Sequence, residues 1–336
     1  MVKKRQSNFE LLRIIAMFMV LVLHADFLAN GRPDIEAFYA SPLSASARTI
    51  FEMLSIVSVN VFVMISGWFG IRPSIRSVGN FIFQCLFFLV GIYTVALLLG
   101  VAPLSVKGVA SCLTISSGYN WFIRAYLGLI IIAPILNTFL EHCNKRQLGF
   151  VLVSFYLFQS FYGFVGNEGF FSNGYSTLSF IGLYLLSRYL RLYGMSFYKL
   201  GGVIYIVSAL CNTLLYYIMV QLDVTRINVI AYSNPLVVMG AAGLVMWTAQ
   251  LKMQYSRWIN FIAASSFAVY LFHTNFTIVE SLYKPLMISL YERFDGLTCI
   301  LVMFAVLVFI FMLAVVLDQP RKWIWNMIWK YFTFRE

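Results

Sequence analysis

Charge is what this sequence has least of. Lys, Arg, Asp and Glu make up 11% of its 336 residues and hydrophobic residues 61%, too little polar surface to coat a water-soluble body. Long polar stretches are missing as well. The longest, from about Asn30 to Ala47, holds the turn formers Gly31, Pro33 and Pro42 and is too short to fold alone. A separate soluble domain is thereby excluded, and residues 1–336 are expected to form a single integral membrane domain. The cysteines, at positions 85, 112, 143, 211 and 299, have no CxxC spacing, so neither a disulfide framework nor a zinc or other metal site is expected. No internal repeat of 20 to 50 residues is visible, nor the inverted symmetry of many secondary transporters.

What the chain does have is apolar runs of roughly 20 residues, the length at which an α-helix crosses a hydrocarbon core about 30 Å thick. Read between polar or turn-rich breaks, they predict an all-α, polytopic transmembrane helix bundle of about ten helices. These fall near 9–28, 48–70, 78–100, 118–139, 147–165, 176–194, 200–222, 233–251, 259–283 and 297–318. The first run follows Lys3, Lys4 and Arg5 as a signal peptide would, yet it is too long and has no small-residue cleavage site, so it is expected to stay in the mature protein. The net charge of +11 raises nucleic acid as a partner. The basic residues, however, sit in small groups beside helix ends rather than as one patch interleaved with aromatics, so nucleic acid is excluded and the bilayer is the expected partner. With a cytoplasmic N-terminus, sixteen of the 24 Lys and Arg, Arg335 among them, fall on inside segments and seven outside. The positive-inside rule favours that orientation, with both termini cytoplasmic. The C-terminal tail, with Trp323, Trp325 and Trp329 among Lys322 and Lys330, is expected to lie in the interface as an amphipathic segment.

Polar side chains at membrane depth cost a few kcal/mol on insertion scales and are seldom there without a partner or a function. In the first helix Arg13 and His24 are eleven residues apart, a net rotation of about 20° and a rise of roughly 16 Å. They share one face, stacked through Met17 and Val20. Glu10, three residues before Arg13, can pair with it. The second helix carries Glu52, Ser55, Asn60 and Ser66, and its exit carries Gly67, Arg72 and Arg76. The fourth opens on Asn120, Trp121 and Arg124. In the ninth, Ser266, Tyr270, His273, Thr277 and Glu280 recur at helical spacing as one continuous polar seam. Taken singly, Arg13 and Arg72 are snorkelling anchors, Trp121 an aromatic-belt residue and His273 an interhelical contact. Their conjunction points to a site.

At these residues the sequence resembles the acyltransferase 3 family of bacterial membrane acyltransferases, especially members that O-acetylate capsular polysaccharide or lipopolysaccharide. The arginine-to-histidine spacing of that family is matched by Arg13 and His24 in FELLRIIAMFMVLVLH. Its aromatic-rich run ending in Ser-Gly-aromatic is matched by VFVMISGWFGIR, with Ser66, Gly67 and Trp68. A tryptophan opening a later helix is matched by Trp121, and a serine, tyrosine, histidine pattern by Ser266, Tyr270 and His273 in SSFAVYLFH. Relatives often space the arginine pair after the Ser-Gly motif by two residues, whereas Arg72 and Arg76 have three between them. Glu10 stands where many relatives have aspartate.

The resemblance implies a multi-pass protein of the bacterial inner membrane that transfers an acyl group, acetyl first of all, from cytoplasmic acetyl-CoA to a hydroxyl of a lipid-linked or polymeric envelope glycan. On that reading Arg13, Arg72 and Arg76, with Ser66, bind the donor at a cytoplasmic mouth. Glu10 orients Arg13, and His24 serves as general base on the acceptor or as a nucleophile that carries the acyl group. Trp121, Tyr270 and His273 line the acceptor side. A transporter of a glycan or small solute by alternating access, and an assembly scaffold, are the alternatives from other classes. Labelled acetyl-CoA hydrolysed or turning into acetylated glycan separates the first reading from a transporter, and a scaffold predicts tolerance of changes at Arg13 and His24.

Overall fold

The computed structural model describes residues 5–116 and 118–333, and among these every regular element is helical. Lys3, Lys4 and Arg335, counted above among the cytoplasmic basic residues, lie outside the described residues. Helix α1 (Ser7–Leu23) runs into a π-helical turn, His24–Leu28. The polar gap after it holds a short helix, α2 (Ile35–Ala40), started by the Asp34 side chain accepting from the Ala37 N–H at 2.8 Å. Next come α3 (Pro42–Ser55) and α4 (Ser58–Phe69), which together make one apolar span.

Helix α5 (Ile75–Leu98) begins with a reciprocal Ser74 and Ser77 capping box, and a short α6 (Val106–Thr114) follows. Helices α7 (Trp121–His142) and α8 (Lys145–Phe158) are joined by a second capping box, Asn144 with Gln147, and α8 continues as a π turn, Gln159–Val165. Helices α9 (Thr177–Tyr193), α10 (Gly201–Gln221) and α11 (Pro235–Gln250) follow. The last third comprises α12 (Arg257–Ala263), α13 (Ser266–His273), α14 (Phe276–Ile278), α15 (Lys284–Arg293) and α16 (Gly296–Thr333).

Each of the ten apolar runs is helical. By length and composition, though, seven qualify as membrane spans, or eight when the bent pair Arg257–His273 and Phe276–Arg293 counts as one. The two that fall short are α9, with 17 residues, and α11, with 16. Helix α11 buries ten of its sixteen residues and α4 nine of its twelve. A helix so enclosed by protein presents little surface to lipid, and its length need not match the bilayer. Around these buried rods Ile131, Phe150, Val203 and Leu301 point outward, each more than half exposed, as lipid-facing side chains should.

Helix α1 is the hub, packing against α3, α4, α11, α12, α13 and α16. Close approach of α4 to α9 depends on Gly67, where a Cβ atom would stand 2.7 Å from the Tyr184 carbonyl oxygen. Arg188 and Arg191 of α9 both donate to the Trp68 carbonyl at the end of α4, satisfying an orphan acceptor where the helix dipole favours positive charge.

Two expectations need correction. The ninth run is no single helix, because the chain bends by 66° after His273. Thr274 Oγ donates to the Tyr270 carbonyl at 2.6 Å, and Asn275 turns extended to cap α14. Side chains that bond their own backbone compete with helix continuation, so Thr277 and Glu280 leave the seam begun by Ser266, Tyr270 and His273. Glu280 pairs instead with Lys284, at 2.8 Å, and with the Tyr119 hydroxyl, at 2.7 Å. The C-terminal tail, in turn, is no separate interfacial segment. It extends α16 without a break through Pro320, held by Asp318, whose buried carboxylate pairs with Arg321 at 2.7 Å and Lys322 at 3.3 Å, three and four residues on.

Candidate active site

The site is built around α1. Its first turn is fixed by Ser7, whose buried Oγ accepts from the Ser256 N–H at 2.9 Å and the Asn260 amide at 2.8 Å. One turn on, Glu10 is 5% exposed. Its carboxylate holds Arg13 at 3.0 Å and reaches Arg5 at 3.7 Å. The pairing that the sequence suggests for Glu10 and Arg13 is present, and Glu10 joins a second arginine to it. The Arg13 side chain is partly exposed and lies within electrostatic reach of the Tyr126 hydroxyl on α7. Ser66 donates to the Phe62 carbonyl at 3.2 Å, so the hydroxyl pair between Ser66 and Tyr126, at 2.9 Å, has Tyr126 as donor. Ser66 and Arg13 therefore meet on Tyr126, a residue not singled out in the sequence. Met17 and Val20, between Arg13 and His24, are buried, so the stripe they share faces the protein and not lipid.

At the far end of the stripe His24 opens the π turn, a deviation from regular helix that recurs at functional sites. Its Nδ1 lies 2.9 Å from Nε2 of His273, 249 residues later. His273 is fully buried, and its own Nδ1 is 2.6 Å from the Val269 carbonyl. These contacts set the proton positions. A carbonyl only accepts, so His273 carries its proton on Nδ1 and offers a bare Nε2; His24 must then donate from Nδ1. That leaves the lone pair on Nε2 of His24, which has no other partner among the described residues. A partly buried imidazole held in one tautomer, with its second nitrogen bare, is arranged to take a proton. Tyr283, whose hydroxyl donates to the Leu21 carbonyl at 2.8 Å, packs its ring 5.8 Å from His273 and closes the back of the pair.

An aromatic lane joins the two ends of the stripe. Phe122 stacks on Tyr126 with centroids 5.6 Å apart and meets Tyr270 at the same distance. Phe267 stacks on Tyr270 at 5.8 Å and on Phe81 at 5.0 Å, and Tyr270 lies edge-on to His273 at 6.3 Å. The Tyr270 hydroxyl is spent on the Tyr119 carbonyl, 2.7 Å away. Tyr270 thus acts here as lining and support.

Beside the N-terminal end of α1 is a cavity of about 430 Å³ whose lining includes Arg5, Arg76, Arg321 and Lys322, with Asn80 and Trp325. Arg76 lies 5.6 Å from the centre of the Trp329 ring. Arg72 is not part of this lining. It is exposed on the loop after α4, which Tyr184 and Asn137 pin by its Ile71 backbone. Arg321, Lys322 and Arg5 share the hollow with Arg76. The signal for Arg321 and Lys322 was Asp318, an acid three and four residues earlier in an otherwise apolar helix. Four cations around one hollow attract phosphate groups.

At the opposite end Trp121 starts α7 and is partly buried among aromatics. Its centroid lies 4.2 Å from Tyr175, edge-on, and 5.7 Å from Tyr232, stacked. The arrangement as a whole is a helical membrane protein with a cation-lined hollow at one end of its central helix and a tautomer-fixed histidine pair toward the other.

That architecture suits group transfer, and the comparison with known families agrees. Residues 6–319 match the acyltransferase 3 family, described as an acyltransferase domain, and the chain belongs to it. It is a multi-pass membrane acyltransferase. No curated protein and no solved structure matches it.

Proposed function

We propose that this acyltransferase moves an acyl group, acetyl first of all, from cytoplasmic acyl-CoA to a hydroxyl of a cell-envelope glycan in the bacterial inner membrane, with His24 as general base. The observation that carries the reading is the hydrogen-bond chain from the Val269 carbonyl through His273 to Nδ1 of His24, which leaves Nε2 bare at the end of the aromatic lane.

Arg5, Arg76, Arg321 and Lys322 hold the phosphates of the donor. The apolar arm of the donor runs past Arg13 and Ser66 along the aromatic lane. At its end the acceptor hydroxyl gives its proton to Nε2 of His24 as its oxygen attacks the thioester carbonyl. The C–O bond forms, the C–S bond breaks, and the proton passes from His24 to the departing thiolate. The imidazolium formed in between keeps its Nδ1–H on Nε2 of His273, so the positive charge arises on a ring already hydrogen-bonded. Every proton is returned, and His24 ends as it began.

The cation-lined hollow gives a test that does not depend on the histidines. Arg76 has no carboxylate partner among the described residues, so Arg76→Gln removes a phosphate contact without breaking an ion pair. The KM for acetyl-CoA should rise about tenfold, the worth of one charge-assisted contact, with kcat little changed. Arg76→Lys should recover part of the loss. Steady-state transfer of labelled acetyl-CoA by purified protein reads this, and an unchanged KM in Arg76→Gln would remove the donor from this hollow.

A further inference from the structure

One buried acidic residue, Glu52, has no role in the mechanism above. Glu52 lies on α3 and is 3% exposed, and among the described residues its Oε2 has no hydrogen-bond partner. Its charged neighbours are Asp26, Arg32 and Arg48. Arg48 is already committed: its Nε bonds Asp26 at 2.6 Å and its Nη2 the Gly31 carbonyl at 2.5 Å. Among the described residues Arg32 makes a 3.5 Å contact with Asn228. A buried carboxylate oxygen without a partner is costly, and in a membrane protein it marks a place where something else binds.

The surroundings say what. Tyr175 and Tyr232 are both within electrostatic reach of Glu52 and pack on each other with ring centroids 5.0 Å apart, and Trp121 packs on both. This aromatic wall is rigidly mounted. The Tyr232 carbonyl accepts from Asn60 at 3.0 Å, the Ser233 carbonyl from Gln159 at 3.4 Å, and the Val229 carbonyl from Asn234 at 2.7 Å. Gly174, with φ of +92°, lets the preceding turn press against Tyr232, where a Cβ would come within 2.6 Å. Tyr175, 38% exposed, brings the wall to the surface. All of this lies on the same side of the bundle as His24: Asp26 is two residues beyond it, in the π turn.

We propose that Glu52 and the wall of Trp121, Tyr175 and Tyr232 form the acceptor subsite, which takes one pyranose ring of the glycan. Flat aromatic faces pack against the C–H face of a sugar ring, and a carboxylate with a free oxygen accepts its hydroxyls. Arg32 at the rim adds a donor for ring or linkage oxygens. The inference rests on the acyl-transfer reading and names the residues that hold its second substrate.

The test uses full-length protein, labelled acetyl-CoA and total envelope glycan extracted from the producing cells, measuring half-saturation for each substrate separately. Glu52→Gln keeps the shape and removes the charge; Tyr175→Ala removes the ring, and Tyr175→Phe keeps it. Glu52→Gln and Tyr175→Ala should each raise the half-saturating glycan concentration about tenfold, with the acetyl-CoA KM held and Tyr175→Phe close to wild type. Unchanged glycan half-saturation, or a matching shift in the acetyl-CoA KM, overturns the proposal. If Glu52→Gln fails to accumulate in membranes, Tyr175→Ala against Tyr175→Phe decides. Wild-type protein that turns over acetyl-CoA but labels no glycan overturns the occupant and leaves acyl transfer standing. Wild-type protein that turns over no acetyl-CoA is the failure of the underlying reading instead.

Discussion

Replacing His24 by alanine should lower acyl transfer by roughly 10³-fold while the protein still inserts in the membrane and still binds acetyl-CoA. A positioned general base contributes about 10²- to 10⁴-fold, and no other imidazole stands ready at this end of α1: His273 is buried, with its Nδ1 spent on Val269. His24 is only partly buried, so its truncation leaves no large cavity in the core. The same preparation separates base from nucleophile. Wild-type protein given labelled acetyl-CoA without glycan should retain no label on the chain, whereas an acyl-histidine intermediate would leave some. Full transfer activity in purified His24→Ala protein would end the assignment.

The second large effect is expected at His273, which is fully buried and, on the proposed mechanism, acts through its contact with His24. Removing it frees Nδ1 of His24 to lose its proton, and the base then exists partly as the tautomer with the proton on the wrong nitrogen. Wrong-tautomer defects cost up to about 10⁴-fold in related hydrogen-bonded systems. Here the orienting group is neutral, and a fall of about 10²-fold in kcat is expected for His273→Ala, with the acetyl-CoA KM unchanged. His273→Gln tests positioning against mere packing, because the glutamine carbonyl can accept from Nδ1 of His24. Partial recovery of kcat is expected there. Equal loss in both variants, together with lowered thermal stability, would reduce His273 to a packing residue.

Much of this was legible from residue spacing because an α-helix repeats its faces. Eleven residues return a helix nearly to the same direction, and Glu10, Arg13, Met17, Val20 and His24 accordingly share the inward stripe of α1. The Ser266, Tyr270 and His273 seam was legible for the same reason. It failed beyond His273, where Thr274 and Asn275 turned their side chains onto the local backbone and bent the chain. Helical spacing carries no warning of such competition. Lipid-facing periodicity also misled at the C-terminus: Lys322 among tryptophans has the pattern of an interfacial segment, but Asp318 draws it and Arg321 inward. Asn80 and Gln84 of α5, more than 230 residues away, complete that network. Pairings of that range, like His24 with His273, come from tertiary packing, and no spacing within one sequence encodes them. The short, largely buried helix α11 shows the limit of counting spans by a 20-residue rule, because a rod surrounded by protein is freed from the thickness of the bilayer.

On the proposed mechanism the donor enters from the cytoplasm beside the N-terminal end of α1, and the acyl group leaves at the other end. Sealed membrane vesicles of inverted orientation, given labelled acetyl-CoA on the outside alone, expose only the cytoplasmic face to the donor. Labelled glycan should then appear inside the vesicles, protected from added esterase until detergent opens them. Label that appears only when acetyl-CoA is loaded into the lumen would contradict the account.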